Sequence, residues 1–163
     1  ATAGRDRSPG RAARLGALAQ RCNIAVAADN PVTLASYSQA GSKAGKPIEV
    51  VIEIDTGRQR AGVETPAEAI ALAAQIKADP HLNFAGFLYY PTETSWPETQ
   101  KFHDTALAGV RDLGLEPRIV STGGTPNLAN LGKLKGATEH RAGTYIFNDR
   151  MTIAAGACTL EAV

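Results

Sequence analysis

The stretch Arg118-Ile119-Val120-Ser121-Thr122-Gly123-Gly124-Thr125-Pro126-Asn127, followed by Glu139-His140-Arg141-Ala142-Gly143-Thr144-Tyr145-Ile146-Phe147-Asn148-Asp149, decides how the chain folds. Ile119-Val120 is a short apolar run of the kind that forms a buried strand, and hydroxyls and glycines follow at its carboxyl end. The two glycines let backbone N–H groups turn inward with no Cβ in the way, and the hydroxyls of Ser121, Thr122 and Thr125 can donate to phosphate oxygens. A plain glycine turn between strand and helix, capped by Thr125 or Asn127, accounts for the same residues. Arg141 to Tyr145 then puts a glycine, a hydroxyl and a cation beside an apolar strand a second time. Two such places at successive strand ends suit one phosphate held from two sides, as the late loops of a parallel barrel hold it.

Upstream, the same order of strand, loop and helix repeats. Arg11 to Arg21 carries alanine and leucine at helical spacing. Asn23 to Ala28 is almost wholly apolar and fits a strand buried on both faces. Pro31 suits a helix entry, with a helix over Val32 to Ala44. Ile48 to Asp55 is long and β-branched, the strongest strand pattern in the chain. Thr65-Pro66-Ala67-Glu68 reads as a capping box with proline at the first helical position, leading into Ala69 to Ala78. Phe84 to Tyr90 is the next strand, Pro97 to Leu113 the next helix, and Gly114 its stop. Unit lengths near the roughly thirty residues of a βαβ unit predict an α/β fold with a parallel sheet and about five strands up to Arg141. A (β/α)8 barrel has eight strands and about 250 residues, so the expectation is a partial (β/α)8 TIM barrel. A flavodoxin-like sheet fits the length better, but it gathers its ligand loops at one switch point instead of after successive strands.

Composition narrows the function. With 44% hydrophobic and 20% charged residues and a formal net charge of +1, the 163-residue chain reads as a soluble globular domain, or part of one. It has no basic run with interleaved aromatics for nucleic acid, and no apolar stretch long enough for a membrane span. Cys22 and Cys158 lack ligand or disulfide spacing and read as small buried side chains. The first residues lack the apolar core of a secretory signal, so a cytoplasmic location is expected; the initial Ala1 suggests a chain cut from something longer.

Among side chains that could carry chemistry, Arg60 lies just past the second strand, where barrel enzymes place catalytic groups, unless it is a surface arginine paired with Glu64 or Glu68. Asp55 orients that strand end or simply turns it. Tyr89 and Tyr90 alternate, so one faces the barrel axis and can lie against a flat ligand while the other faces the helices. His81, His103 and His140 show no metal-ligand spacing. Lys43 and Lys46 precede a strand, at the wrong end of a barrel for an imine-forming lysine, and read as solvated.

Four motifs in order, Asp55 to Val63 (DTGRQRAGV), Gly86 to Thr92 (GFLYYPT), Ser121 to Pro126 (STGGTP) and Glu139 to Asp149 (EHRAGTYIFND), resemble the fold-type III pyridoxal-phosphate enzymes with an alanine-racemase-like barrel, in the D-threonine aldolase and D-serine dehydratase-like branch. The resemblance covers Leu15 to Val163. It implies a cofactor phosphate held by Ser121 or Thr122, by Gly123 and Gly124, and by the backbone of Gly143 and Thr144, with Tyr145 nearby. It implies Arg60 at the cofactor's phenolic oxygen or ring nitrogen, Arg141 as the other candidate for the ring nitrogen, and Tyr90 against the ring face. The family's imine-forming lysine would lie before Ala1 and its metal-binding His and Cys after Val163. Residues 1–150 would then be a partial barrel and Met151 to Val163 the start of a crossover to a β-domain, and this polypeptide alone would be inactive and prone to aggregate. For the parent protein the resemblance implies a lyase that splits a D-3-hydroxy amino acid into glycine and an aldehyde, with pyridoxal 5'-phosphate and a divalent metal, Mn or Mg. Dehydration of D-serine or 3-hydroxyaspartate, or racemisation, uses related chemistry. A non-enzymatic pyridoxal-phosphate carrier, or a barrel for a different phosphate, is the alternative of another kind. The family often pairs across its active-site face, which makes a homodimer an open expectation.

Overall fold

The computed structural model describes residues 9–162; the start of the expected barrel unit, residues 1–8, and Val163 lie outside them. The chain alternates as its patterns predict: α1 (Pro9–Arg21), β1 (Ala25–Ala28), α2 (Pro31–Ala44), β2 (Ile48–Ile54), α3 (Pro66–Ala78), β3 (Leu82–Tyr89), α4 (Trp96–Asp112) and β4 (Ile119–Thr122). Beyond these come a 3-10 segment (Thr125–Asn130), β5 (Glu139–His140), a 3-10 turn (Thr144–Ile146), α5 (Arg150–Ala154) and a last 3-10 turn (Leu160–Ala162). The helix boundaries follow local chemistry. The Asn30 side chain accepts from Thr33 N ahead of Pro31, Thr65 and Glu68 close a reciprocal capping box on α3, and Gly45 stops α2 at φ 70°.

All five strands run parallel in the order β1-β2-β3-β4-β5. This order decides between the two architectures the sequence allowed. Right-handed crossovers between successive neighbours place every connecting helix on the same face, whereas a doubly wound sheet reverses direction at its switch point. The sheet is therefore wound as a barrel wall. Ile48, Val50, Ile52 and Ile54 of β2 are each at most 2% exposed and share a core with Leu34, Ala69, Leu72 and Ile76. Glu49 and Glu53, on the opposite face, are only half-buried.

One irregularity in β3 is specified by a glycine. Val50 pairs with Phe84 but Val51 pairs with Gly86, so Ala85 is an extra residue in the strand. Gly86 has φ 145°, and a Cβ there would lie 1.8 Å from Ile119 O of β4. Only glycine lets the two strands approach that closely.

Several expectations are corrected. β1 is not buried on both faces: Ala25 is exposed and Val26 and Ala27 half-buried, because β1 is an edge strand of the described sheet. Ser121 and Thr122 belong to β4 itself, leaving Gly123-Gly124 as the turn. Tyr145-Ile146-Phe147 is no apolar strand but a 3-10 turn and its cap, with the three side chains 53, 66 and 82% exposed; no described strand extends alongside it to supply pairing. The cysteines are not buried: Cys22 ends α1 in solvent with its thiol donating to Leu18 O, and Cys158 is half-exposed. Lys46 is also less free than expected, since its Nζ donates to Cys22 O at 3.2 Å at the amino end of the sheet. No described helix is long and apolar enough to cross a membrane.

Candidate functional site

The carboxyl ends of β2 to β5 bring the singled-out residues together. After β2, Asp55 Oδ1 accepts from the backbone N–H groups of Gly57, Arg58 and Gln59 at 2.8, 3.0 and 3.2 Å, so Asp55 is the organiser of this loop and not merely a turn residue. Val63 N donates to Glu53 O and Asp55 N to Val63 O, which returns the chain to the strand end. Gln59 takes φ 51° between two arginines, and both lie over one aromatic ring. Arg58 Cζ is 4.1 Å and Arg60 Cζ 5.1 Å from the Tyr90 centroid, within cation–π range. Arg60 therefore turns toward the strand ends. The carboxylate of Glu68, one of its expected surface partners, is engaged instead by the N–H groups of Glu64 and Thr65 at the start of α3.

The two tyrosines separate as strand alternation requires. Tyr89 is fully buried, and its hydroxyl lies 2.9 Å from Nδ1 of His103 on α4; burial pushes its phenol well above the ordinary value. Tyr90 faces the opening. Arg60, Tyr90, Gly123, Gly124, Arg141, Gly143 and Thr144, joined by Thr125 and Pro126, line one recess of about 230 Å³.

The Gly123-Gly124 turn is shaped by its neighbours. Gly123 has φ 67°, and a Cβ there would fall 1.8 Å from Cε1 of His140; a Cβ on Gly124 would fall 2.7 Å from Cε2 of Tyr90. His140 Nε2 lies 3.0 Å from Gly124 O, an oxygen that can only accept, so this nitrogen carries the proton. Gly143 differs: nothing lies within 4 Å of its added Cβ, and neither crowding nor backbone among the described residues demands glycine there.

Ser121 and Thr122 sit behind the recess. Ser121, 1% exposed, accepts from Arg141 Nε at 3.0 Å, while Arg141 Nη2 donates to Tyr89 O at 2.6 Å, so the serine and the strand end together aim the guanidinium. The hydroxyls of Thr122 and Thr125, residues 5% and 2% exposed, are buried and without a hydrogen-bond partner. Tyr145 is not brought to the recess; it is over half exposed on the 3-10 turn beyond Thr144.

Charge is unevenly distributed. Burial raises the Glu53 carboxyl above its ordinary value; Arg60 opposes this most strongly, Asp29 adds to it and Arg141 opposes it again. Burial likewise lowers Arg141, with Glu53 the main counterweight. The opening thus presents two cations, buried hydroxyls and glycine backbone, which is chemistry for an anionic group. Among the described residues no three His, Cys, Asp or Glu side chains gather to hold a metal ion.

Three contributors escape a reading of the sequence. Arg58 is indistinguishable by pattern from Arg60 in Arg58-Gln59-Arg60. Asn127 reads as a possible cap, yet it is fully buried with Nδ2 donating to Pro91 O at 2.9 Å. Glu53 has a signal in retrospect, since its spacing from Glu49 puts both glutamates on the face of β2 away from the helices.

Comparison with known proteins adds to this geometry. The profile described as "Alanine racemase, N-terminal domain" matches residues 8–151. A D-threonine aldolase from Arthrobacter sp. is 35% identical over 152 residues, 86% of this chain and 40% of that protein. A D-threo-3-hydroxyaspartate dehydratase from Delftia sp. (strain HT23) is 30% identical over 154 residues, 87% of this chain and 40% of that protein. The crystal structure of a D-threonine aldolase from Filomicrobium marinum superposes with a TM-score of 0.78 at 28% identity, over 93% of this chain and 44% of that one. The chain spans about two fifths of the length of the curated relatives it matches.

Proposed function

The chain belongs to the alanine racemase N-terminal domain family, and from that premise we propose that the protein binds pyridoxal phosphate in the recess and acts as a lyase on D-3-hydroxy amino acids, releasing glycine and an aldehyde. The observation that carries the reading is the buried, unpartnered hydroxyl of Thr125 in the lining of the recess beside Gly123-Gly124, with that of Thr122 unpartnered just behind it. A buried hydroxyl without a partner costs about 1–3 kcal/mol, and a phosphate oxygen accepting from it removes that penalty. The similarity to aldolases and a dehydratase of D-3-hydroxy acids supports the substrate class.

On this reading Thr125, Gly123 and Gly124 hold the phosphate from the β4 side, with Thr122 directly behind them, and the backbone of Gly143 and Thr144 closes it from the β5 side, with Ser121 acting through Arg141. Tyr145 follows Thr144 on the same 3-10 turn, outside the recess. Pyridoxal phosphate, when bound, supplies an electron sink for breaking a bond at the amino acid's Cα. A guanidinium can donate but not accept, so whichever of Arg60 and Arg141 faces the ring nitrogen leaves it unprotonated. Tyr90 bounds the ring from the β3 side.

The test uses the full-length protein supplied with pyridoxal phosphate, with and without Mn²⁺, and offers D-threonine and D-3-hydroxyaspartate. Release of glycine and the matching aldehyde supports the lyase, and Arg60→Ala and Tyr90→Ala should then each weaken cofactor binding. Release of ammonia and a keto acid instead would move the assignment to a dehydratase, the reading favoured by the Delftia relative. Cofactor uptake with neither product would leave a carrier, and no uptake would refute the cofactor assignment.

A further inference from the structure

The loop after β2 contains two arginines with different surroundings. Arg60 lines the recess. Arg58 does not, yet it makes the more elaborate set of contacts: Nε donates to Tyr90 O at 3.0 Å, Nη2 donates to Pro91 O at 2.8 Å, and Cζ lies 4.1 Å from the centre of the Tyr90 ring. We propose that Arg58 is a positioning residue for Tyr90, fixing the ring that bounds the cofactor without touching the cofactor itself. The proposal rests on the assignment of pyridoxal phosphate to the recess.

The ion pair with Glu93 is not what holds Arg58 in place. Its Nη2 is 3.3 Å from Glu93 Oε1, and Glu93 is half exposed, so solvent screens this pair. The backbone contacts are of another kind. Both acceptors are consecutive carbonyls at the carboxyl end of β3, and a planar guanidinium fork can meet them together while its face covers the ring of the same Tyr90. Backbone and side chain of one residue are gripped by one cation.

The grip is continuous with the Gly123-Gly124 turn. Pro91 O has two lone pairs and accepts a second donor, Nδ2 of the fully buried Asn127, at 2.9 Å. Asn127 N donates in turn to Gly124 O, and Gly124 lies against the Cε2 edge of the Tyr90 ring so closely that a Cβ has no room. Arg58, Pro91, Asn127, Gly124 and Tyr90 therefore form a closed circuit joining the loops after three adjacent strands. Within it Arg58 touches only the Tyr90-Pro91 end, and this separates its role from that of the residues that meet the phosphate. The loop backbone that aims Arg58 is itself held by Asp55.

The experiment compares wild-type full-length protein with Arg58→Met and Arg58→Lys, titrating each with pyridoxal phosphate, followed by the visible absorbance and circular dichroism of the bound cofactor, and separately with inorganic phosphate. In R58M the affinity for pyridoxal phosphate should fall on the order of ten-fold or more, by analogy with the outer partners that orient metal ligands, and the dichroism of the bound ring should change. Affinity for inorganic phosphate should stay at the wild-type value, which also reports that the variant is folded. R58K, with a cation but no fork, should recover part of the affinity and not the wild-type dichroism. R58M that binds pyridoxal phosphate with wild-type affinity and dichroism overturns the inference and leaves the proposed function standing. So does equal loss of pyridoxal phosphate and inorganic phosphate, which marks a general structural role. Wild-type protein that takes up phosphate but no pyridoxal phosphate overturns the proposed function and the inference with it.

Discussion

Gly123→Ala should destabilise the protein by roughly 3–5 kcal/mol, and most of that loss should disappear when His140 is also replaced by alanine. At φ 67° an alanine pays about 1–2 kcal/mol for the left-handed backbone whatever surrounds it. Its Cβ would also lie 1.8 Å from Cε1, 2.4 Å from Nδ1 and 2.8 Å from Nε2 of His140, so the whole ring has to swing away. That movement breaks the Nε2–H bond to Gly124 O, about 0.5–1.5 kcal/mol net, and repacks a tight contact at about 1–3 kcal/mol. With His140→Ala in place only the backbone penalty remains, about 1–2 kcal/mol, so the coupling between the two sites should be about 2–3 kcal/mol. Urea unfolding of the full-length wild type, both single variants and the double variant measures this directly. If Gly123→Ala costs the same in both backgrounds, His140 does not pack on the Gly123 backbone and the reasoning about this turn is wrong.

Gly86→Ala meets backbone and not a movable ring, Ile119 O at 1.8 Å, and should cost on the order of 4 kcal/mol or more in the same assay; a wild-type unfolding midpoint would contradict the close β3–β4 approach. Asn127→Leu keeps the volume but removes a buried donor to Pro91 O and an acceptor for Asn130 Nδ2, and should lower stability by about 1–3 kcal/mol, read from the unfolding midpoint and slope. Burial holds His103 below its ordinary value, with Asp104 pulling it back up. Between the folded-state value and the ordinary value near 6.5 the unfolded chain binds the extra proton, so stability should fall as pH drops below about 6.5. Unfolding followed between about pH 5 and pH 7.5 should show a shallower pH dependence in His103→Gln, and an equal slope would contradict it.

The elements themselves were legible in the sequence because their causes are local. Thr65 and Glu68 close a capping box three residues apart, β2 alternates Glu49 and Glu53 against a row of isoleucine and valine, and Gly114 and Gly45 follow the helices they stop. A period of two also says that one of Tyr89 and Tyr90 faces the opening, while the packing of Tyr89 against His103 of α4 decides that it is Tyr90. Burial was less legible, since it depends on what covers an element. Val26 and Ala27 are as apolar as the isoleucines and valines of β2 but lie in an edge strand of the described sheet, and Tyr145 to Phe147 are apolar but have no strand to pair with among the described residues. Cys22 is exposed for the same reason, since it follows a helix end that nothing described covers.

The order of residues along the chain is enough to set the alternation of strand and helix, the glycines that permit turns, and a set of hydroxyls and cations placed at strand ends. The tertiary structure alone decided that the sheet is wound in one direction, that Ser121 aims Arg141 while Thr122 and Thr125 keep free hydroxyls, and that Arg58 grips Tyr90 while Arg60 lines the recess. The reason is one of range. Propensity, capping and alternation act across a few residues, whereas Arg58 and Tyr90 are 32 positions apart, Asn127 and Pro91 are 36 apart, and Arg141 and Tyr89 are 52 apart. Such donors and acceptors find one another only after packing of the parallel sheet has set the strand ends side by side.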